Sequence, residues 1–314
     1  MYNICVGRKD GKKIKGMDGF ARIQSLLVGE DRVSSVCYYT HEVSCDHMDA
    51  FIERKRAEGL EYNYRDIVLA FLTRVFYLRP RLNRFVVKGT FYQRNYIDIS
   101  CAVHKNLRTG EQETMVKVRY TGKETIAEIK EKFETAVREA ITGSSGTEDF
   151  SSSFVGRSPT WFLRLVMWVT RRLDRWGLLS DKFMFETSPC HASIVFADLK
   201  SVHLGPVWHH LYNFGTCGFM CCMGKEKLRA GVDPKTREIR VEKYLELGIG
   251  EDERFIDGWT YSQMVKSINR IVENLECLER APEDDEVKRP TPTPYEKKLA
   301  EKAKKKAAKK QVKA

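Results

Sequence analysis

Residues 64–80, YRDIVLAFLTRVFYLRP, constrain the fold more than any other stretch of the chain. Ile67, Leu69, Ala70, Leu72, Val75, Phe76 and Leu78 are too dense for a single apolar stripe on a surface helix. The segment predicts a largely buried helix that stops at Pro80, whose ring clashes with the preceding turn. Burying such a helix takes elements on several sides. A chain of 314 residues, 42% apolar and 11% aromatic, can supply them as one large domain or two small ones.

The flanking segments predict those elements. SSVCYYTHEVSC (34–45) has the β-branched and aromatic content of a strand, and MDAFIERKRAEG reads as a short helix ended by Gly59. RFVVKGTFYQRNYIDISCAVHK reads as two or three strands with a turn at Gly89, and ETMVKVRYTG (113–122) as another strand. TIAEIKEKFETAVREAITG is an amphipathic helix: Thr125 and Glu128 have capping-box spacing, Ile126, Ile129, Phe133 and Val137 mark its apolar face, and Gly143 ends it. SSGTEDFSSS is a loop. Strands are expected at 191–202, 214–225 and 240–250, then a helix at 260–279 with Thr260 and Gln263 at capping-box spacing. The order is mixed rather than βαβ, no repeat is visible, and no glycine-rich phosphate loop occurs. The expected fold class is α/β, a two-layer sandwich of a mixed sheet covered mainly on one face by helices.

Composition narrows the function. No run of 18 apolar residues occurs, so no membrane span is expected, and the N-terminus lacks the apolar stretch of a signal peptide. Nine cysteines at irregular spacings read as reduced thiols, which points to a cytoplasmic protein. Cys217, Cys221 and Cys222 lack a paired C-x-x-C, and alternation along a strand would split them between faces, so no metal site is expected. His41 and His47 flank Cys45 and read as core or interface. Of the net charge of +11, residues 297–314 hold +8 (nine Lys, one Glu), leaving +3 elsewhere. The basicity belongs to a tail without aromatics, so no specific nucleic acid is predicted; the tail is a solvated end or a weak contact for anionic surfaces. The expected organisation is a basic segment at 1–19, a domain at 20–280, and a Pro-rich then Lys/Ala-rich tail at 281–314, expected to be disordered. PTWFLRLVMWVTRRLDRWGLL (159–179) combines three Trp with four Arg. It reads either as a basic amphipathic helix on a lipid surface or as a helix packed on its own domain or a neighbouring subunit; apolar residues around most of its circumference favour burial in protein.

The stretch DERFIDG (252–258) falls between a strand and a helix. It resembles the D-H-R-x-x-D-G of the dihydrolipoamide acyltransferases, the acyltransferase components of 2-oxoacid dehydrogenase complexes, and the related H-x-x-x-D-G of chloramphenicol acetyltransferase. Asp252, Arg254, Asp257 and Gly258 stand at the matching positions. RDIVLAFLTRVFYLRPRLNRF is similar to the family's apolar helix ending in P-x-L-N, here Pro80, Leu82 and Asn83. YIDISCAVHK and NFGTCGFMCCMGK resemble strands that follow in the same order. The resemblance covers most of 20–280 and implies a chloramphenicol acetyltransferase-like fold, a homotrimer with active sites between subunits, and coenzyme A or acyl-coenzyme A as substrate. Because little precedes residue 20, no lipoyl domain is expected in this chain.

The chemistry departs from the family's pattern. The family's histidine is the general base, and here that position is Glu253. A carboxylate with an ordinary pKa of ~4.3 is a poor base toward a thiol unless burial raises it. Aligning IVFADLK with the family's T-I-S-N-L-G puts Ala197 at the serine that hydrogen-bonds the acyl oxyanion, and losing such a donor costs a factor of ~10²–10³. Ser193, Ser201, His209 and His210 are candidate substitutes. The family's aspartate at Asp257 is mainly structural and pairs with an arginine. Two readings follow: a coenzyme A-dependent acyltransferase with Glu253 as its base, or a catalytically inactive trimeric scaffold or binding module of the same fold. A third is a peripheral protein held on anionic surfaces by the Trp/Arg helix and the Lys tail.

Overall fold

The computed structural model describes residues 7–29, 31–106, 111–142, 158–233, 236–283 and 286–288, with isolated positions 295, 297, 298, 300 and 301. Gly143, the loop at 144–153, Cys5 and most of the tail lie outside the described residues.

The densely apolar segment forms helix α3 (Tyr64–Leu78). Its start is fixed by reciprocal capping: the Asp66 N–H donates to Asn63 Oδ1 (3.1 Å) and the Asn63 N–H to Asp66 Oδ2 (3.2 Å). Residues 67–76 are buried without interruption. α3 lies between α4 (Ile126–Ile141) and α7 (Gly258–Val272), against strand β5 (Ile97–Asn106). The Thr125–Glu128 capping box of α4 forms as its spacing predicts.

The main sheet runs β2 (Val36–Ser44), β10 (Ile239–Asp252), β8 (Phe219–Met223), β7 (Ile194–Asp198), β5 and β6 (Glu111–Tyr120), with β9 (Lys227–Val232) on the free N-terminal half of β10. β5 and β7 are parallel, as are β7 and β8; the other pairs are antiparallel. Alternation sends Ile99, Phe196, Cys221, Leu247 and Ile249 into the core beneath the helices. α2 (Asp46–Ala57), α3, α4 and α7 cover that face, which is the two-layer mixed α/β architecture expected. A smaller sheet, β1 (Gly11–Lys13), β4 (Thr90–Arg94) and β3 (Arg84–Val87), draws on the basic N-terminal segment.

The other face of the main sheet carries a strap. Residues 204–211 cross it without regular secondary structure, and Leu211 joins Val195, Cys217 and Met220 in a second small core. The Trp208 indole N–H donates to Thr40 Oγ1 (3.0 Å). A side chain at Gly248 would place its Cβ 2.4 Å from the Val207 carbonyl oxygen, so only glycine lets the strap lie on β10.

Several elements differ from expectation. The strand expected at 191–202 is cut to Ile194–Asp198, because a 3₁₀ turn follows at Lys200–Val202. Helix α1 (Gly19–Val28), β1, β9 and the short α6 (Asp181–Glu186) were not foreseen. The Trp/Arg segment forms α5 (Thr160–Trp176), but it is not buried in its own chain. One side is half-covered through Phe162, Leu163, Val166 and Met167, and only Asp174 is fully buried, whereas Trp161 and Trp168 stay 68% and 57% exposed. The described cysteines are free thiols, most of them buried, with Cys37 exposed. Cys221 points into the main core, and Cys222 is its neighbour on the other face. Among the described residues no helix is long and apolar enough to cross a membrane.

Leu72 is fully buried and Leu27 is 82% exposed. Leu72→Ala is expected to cost ~2–5 kcal/mol and Leu27→Ala less than ~0.5 kcal/mol, read as urea midpoints at constant slope. Equal losses would place α3 outside the core.

Candidate active site

The end of β10 builds the site. Asp252, its last residue, is fully buried, and its N–H donates to the Gly218 carbonyl (3.0 Å). Its carboxylate accepts from Arg254 Nε (2.8 Å), Nη2 (2.6 Å) and the Arg254 N–H (3.1 Å). This bidentate pair closes the turn on itself, with Arg254 also buried. The Glu253 N–H donates to the Ser35 carbonyl (3.0 Å), which ties the turn to the entry of β2. Phe255 fits against Gly218, where a Cβ would lie 2.2 Å from its ring.

Asp257 does not make the expected arginine pair. It is exposed and caps α7, with Oδ1 accepting from the Thr260 N–H at 2.7 Å. The pairing falls to Asp252 because that residue is buried with Arg254 beside it, and an unpaired charge there would be costly. Thr260 is accordingly three residues inside the helix rather than its cap.

Glu253 is half-buried and its carboxylate lies against the Cys37 thiol. Partial desolvation, then the nearby Glu253 and Glu251 carboxyls, push the exposed Cys37 up to about 11, so it is a neutral thiol rather than a ready thiolate at pH 7. The residue that sequence reasoning missed is Glu251. It pairs in register with Cys37 on one side and Phe219 on the other and is 6% exposed. Burial, then repulsion from Asp257 and Glu253, raise its carboxyl to about 9, so it carries a proton at pH 7. Its Oε2 and the Tyr261 hydroxyl are both buried without a hydrogen-bond partner among the described residues. The signal was present in alternation: 245, 247, 249 and 251 share one face, and the first three are core residues.

The other candidates lie apart. Ala197 is in register with Cys222, and through it with Gly248. That is five residues along β10 from Glu253 and two strands away, about 16 Å by about 10 Å. Ser193 is buried and committed: its hydroxyl donates to Asn83 Oδ1 (2.6 Å) and accepts from the Asp98 N–H (3.2 Å). Ser201 is exposed after β7, with its hydroxyl donating to the Asp198 carbonyl (2.6 Å). His209 and His210 stack on each other at 4.8 Å and contact Tyr212, on the strap rather than against Glu253. His41 is buried and bonds Asn269 (3.0 Å), Cys45 is in the core, and His47 is exposed. Among the described residues no group of three His, Cys, Asp or Glu side chains is placed to hold a metal ion.

Two outcomes test this geometry. Glu251 binds its proton more tightly folded than unfolded, so between pH ~4.5 and ~9 the folded state holds more protons and stability falls as pH rises. Glu251→Gln removes that loss and is expected to raise the melting temperature at pH 8, with the gain closing toward pH 4.5; a gain independent of pH would refute the protonated carboxyl. Arg254→Ala leaves Asp252 buried and unpaired and is expected to cost ~3–5 kcal/mol, against ~1 kcal/mol for the cap variant Asp257→Ala. Chemical denaturation of both separates the pair from the cap.

No protein-family model matches the chain, and no curated protein matches it in sequence. Solved structures do. The cubic core of the pyruvate dehydrogenase multienzyme complex is similar at 12% identity over 82% of this chain and 88% of that one, with a TM-score of 0.55. A probable dihydrolipoamide acetyltransferase from Listeria monocytogenes is similar at 13% identity over 84% and 96%, with a TM-score of 0.55. The dihydrolipoamide acetyltransferase of Azotobacter vinelandii, in which a serine, a histidine and an asparagine were investigated for their roles in catalysis, is similar at 11% identity over 77% and 83%, with a TM-score of 0.54. These likenesses give this chain, a mixed sheet covered by helices, the fold of the 2-oxoacid dehydrogenase acyltransferase catalytic cores.

Proposed function

We propose that the protein is a coenzyme A-dependent acyltransferase in which Glu253 replaces the family's histidine as general base. The observation that carries this reading is the placement of Glu253 on the Asp252–Arg254 turn, half-buried beside a neutral partner carboxyl, Glu251. Two carboxyls whose environments differ this much divide proton-accepting and proton-holding roles between them. Glu253 would take the proton of an acceptor thiol or hydroxyl. Glu251, buried and neutral, spares that step a second negative charge beneath it. The reading further takes the active unit as a homotrimer, since Ala197 and Glu253 of one chain are too far apart to share a substrate. The Lys-rich tail is a weak contact for anionic surfaces.

Ala197 favours a second reading, an inactive scaffold or binding module of the same fold. A methyl group cannot donate to an oxyanion, and Ser193 is already committed.

Thiol release from a panel of acyl-coenzyme A donors and acceptors distinguishes the two. Turnover by the native protein that falls ~10²-fold or more in Glu253→Gln supports Glu253 as base. A silent native protein, with Glu253→His gaining activity, supports the scaffold. Sedimentation velocity checks the trimer.

A further inference from the structure

Helix α5 has two unlike sides. Its inner side is anchored: Arg8 Nη2 and His191 Nε2 lie 2.8 and 3.2 Å from Asp174 Oδ1, and these two contacts hold the Asp174 carboxyl at about 2 against the opposing effect of burial, while burial lowers His191 itself and leaves Arg8 as the cation at neutral pH. Its outer side presents Trp161 (68% exposed), Leu165 (49%), Trp168 (57%) and Val169 (39%). At 100° per residue these fall within one arc. Arg164 and Arg171 lie along one edge of that arc, and Arg172 sits inside it, its guanidinium 5.3 Å from the Trp168 ring centroid. Asp174 is the sole acidic residue of the helix and it points inward, so the exposed face is cationic without compensation from its own helix.

Helix α1 adds a second apolar ridge. Phe20 is 75% exposed, Ile23 59% and Leu27 82%. The two helices border one cleft of about 280 Å³, lined by Leu26 from α1, Arg171 and Arg175 from α5, and Arg32 and Lys88 from below. Asp174 also lines it, already paired with Arg8 and His191. Arg32 is 6% exposed, and its Nε has no hydrogen-bond partner among the described residues.

We propose that this face, α5 and α1 with the basic cleft between them, docks the protein on an anionic lipid surface. Trp and aliphatic side chains enter the boundary between headgroups and acyl chains, and the arginine edge meets lipid phosphates. Charge selects this occupant. Two copies meeting through the same face would oppose arginine to arginine, which costs rather than gives affinity, and a contact with a different face of another copy, as in a trimer, is the oligomer outcome of the test below. A nucleic acid would satisfy the arginines but not bury Leu165, Val169 and Ile23.

The test uses the full chain with phosphatidylcholine vesicles and with vesicles also containing phosphatidylglycerol, some brominated on the acyl chain. Co-sedimentation is expected to be at least about tenfold stronger on the anionic vesicles and to fall about tenfold or more in Arg164→Gln/Arg171→Gln/Arg172→Gln. Brominated chains should quench tryptophan emission. Trp161→Ser/Trp168→Ser should lose binding, whereas Trp161→Phe/Trp168→Phe should keep binding and lose most of the quenching. Circular dichroism melting shows that the variants are folded. Anionic binding without quenching would mean tethering by the Lys tail alone and would overturn the proposal. So would absence of vesicle binding, preference for a DNA duplex over vesicles, or an oligomer that dissociates in the serine variant while vesicle binding is unchanged.

Discussion

Strand β10 is the constraint on which the rest of the molecule depends. Its fourteen residues hydrogen-bond to β2, β8 and β9, so its register fixes three neighbours at once. Its odd-numbered residues, Leu245, Leu247 and Ile249, carry the core beneath the helices, while Gly248 and Gly250 on the other face leave room for the strap. A shift of one residue would put glycines into the core and leucines against the strap backbone, and both faces would fail together. The turn at 252–258 inherits its position from this register. Glu251 is buried because it is the next odd residue, and Asp252 meets the Gly218 carbonyl because it is the next even one.

The large elements were legible in sequence where a local pattern and a tertiary requirement agreed. α3 was readable because nothing but burial suits its composition, and α4 because its capping box and apolar stripe coincide. The turn at 252–258 was readable from its spacing between a strand and a helix. What stayed hidden depends on distance in the chain. Both Asp257 and Thr260 can cap by spacing, and only the backbone path of the turn selects Asp257. Whether Asp252 or Asp257 takes the arginine is decided by the burial of Asp252 beside Gly218, far away in sequence. α5 was only half legible: a helix apolar on most sides predicts burial in protein, and within its own chain one side alone finds a partner. β1 and β9 are short, and each exists because a longer strand offers it an edge.

The electrostatics of the turn divide into two compartments. Asp252 and Arg254 cancel each other in a fully buried, bidentate pair, which is stable only while both members remain. Glu251, Glu253 and Asp257 carry like charge potential within one turn of backbone. The structure relieves it by different means at each: Asp257 turns to solvent and accepts the Thr260 N–H at the start of α7, and Glu251 keeps its proton. Glu253 is left between them, half-buried, with the Cys37 thiol alongside.

That division separates the fold of the turn from its chemistry. The position of residue 253 is set by its own N–H to the Ser35 carbonyl and by the Asp252–Arg254 pair on either side, none of which uses its side chain. A histidine or a glutamate would therefore stand in the same place. What changes with the side chain is the neighbourhood: an imidazole would leave Glu251 facing one fewer carboxylate, whereas Glu253 adds to the repulsion that keeps Glu251 protonated. The side chain at 253 thus contributes to what keeps Glu251 protonated, after burial and Asp257, while the backbone that places it is indifferent to which residue it is.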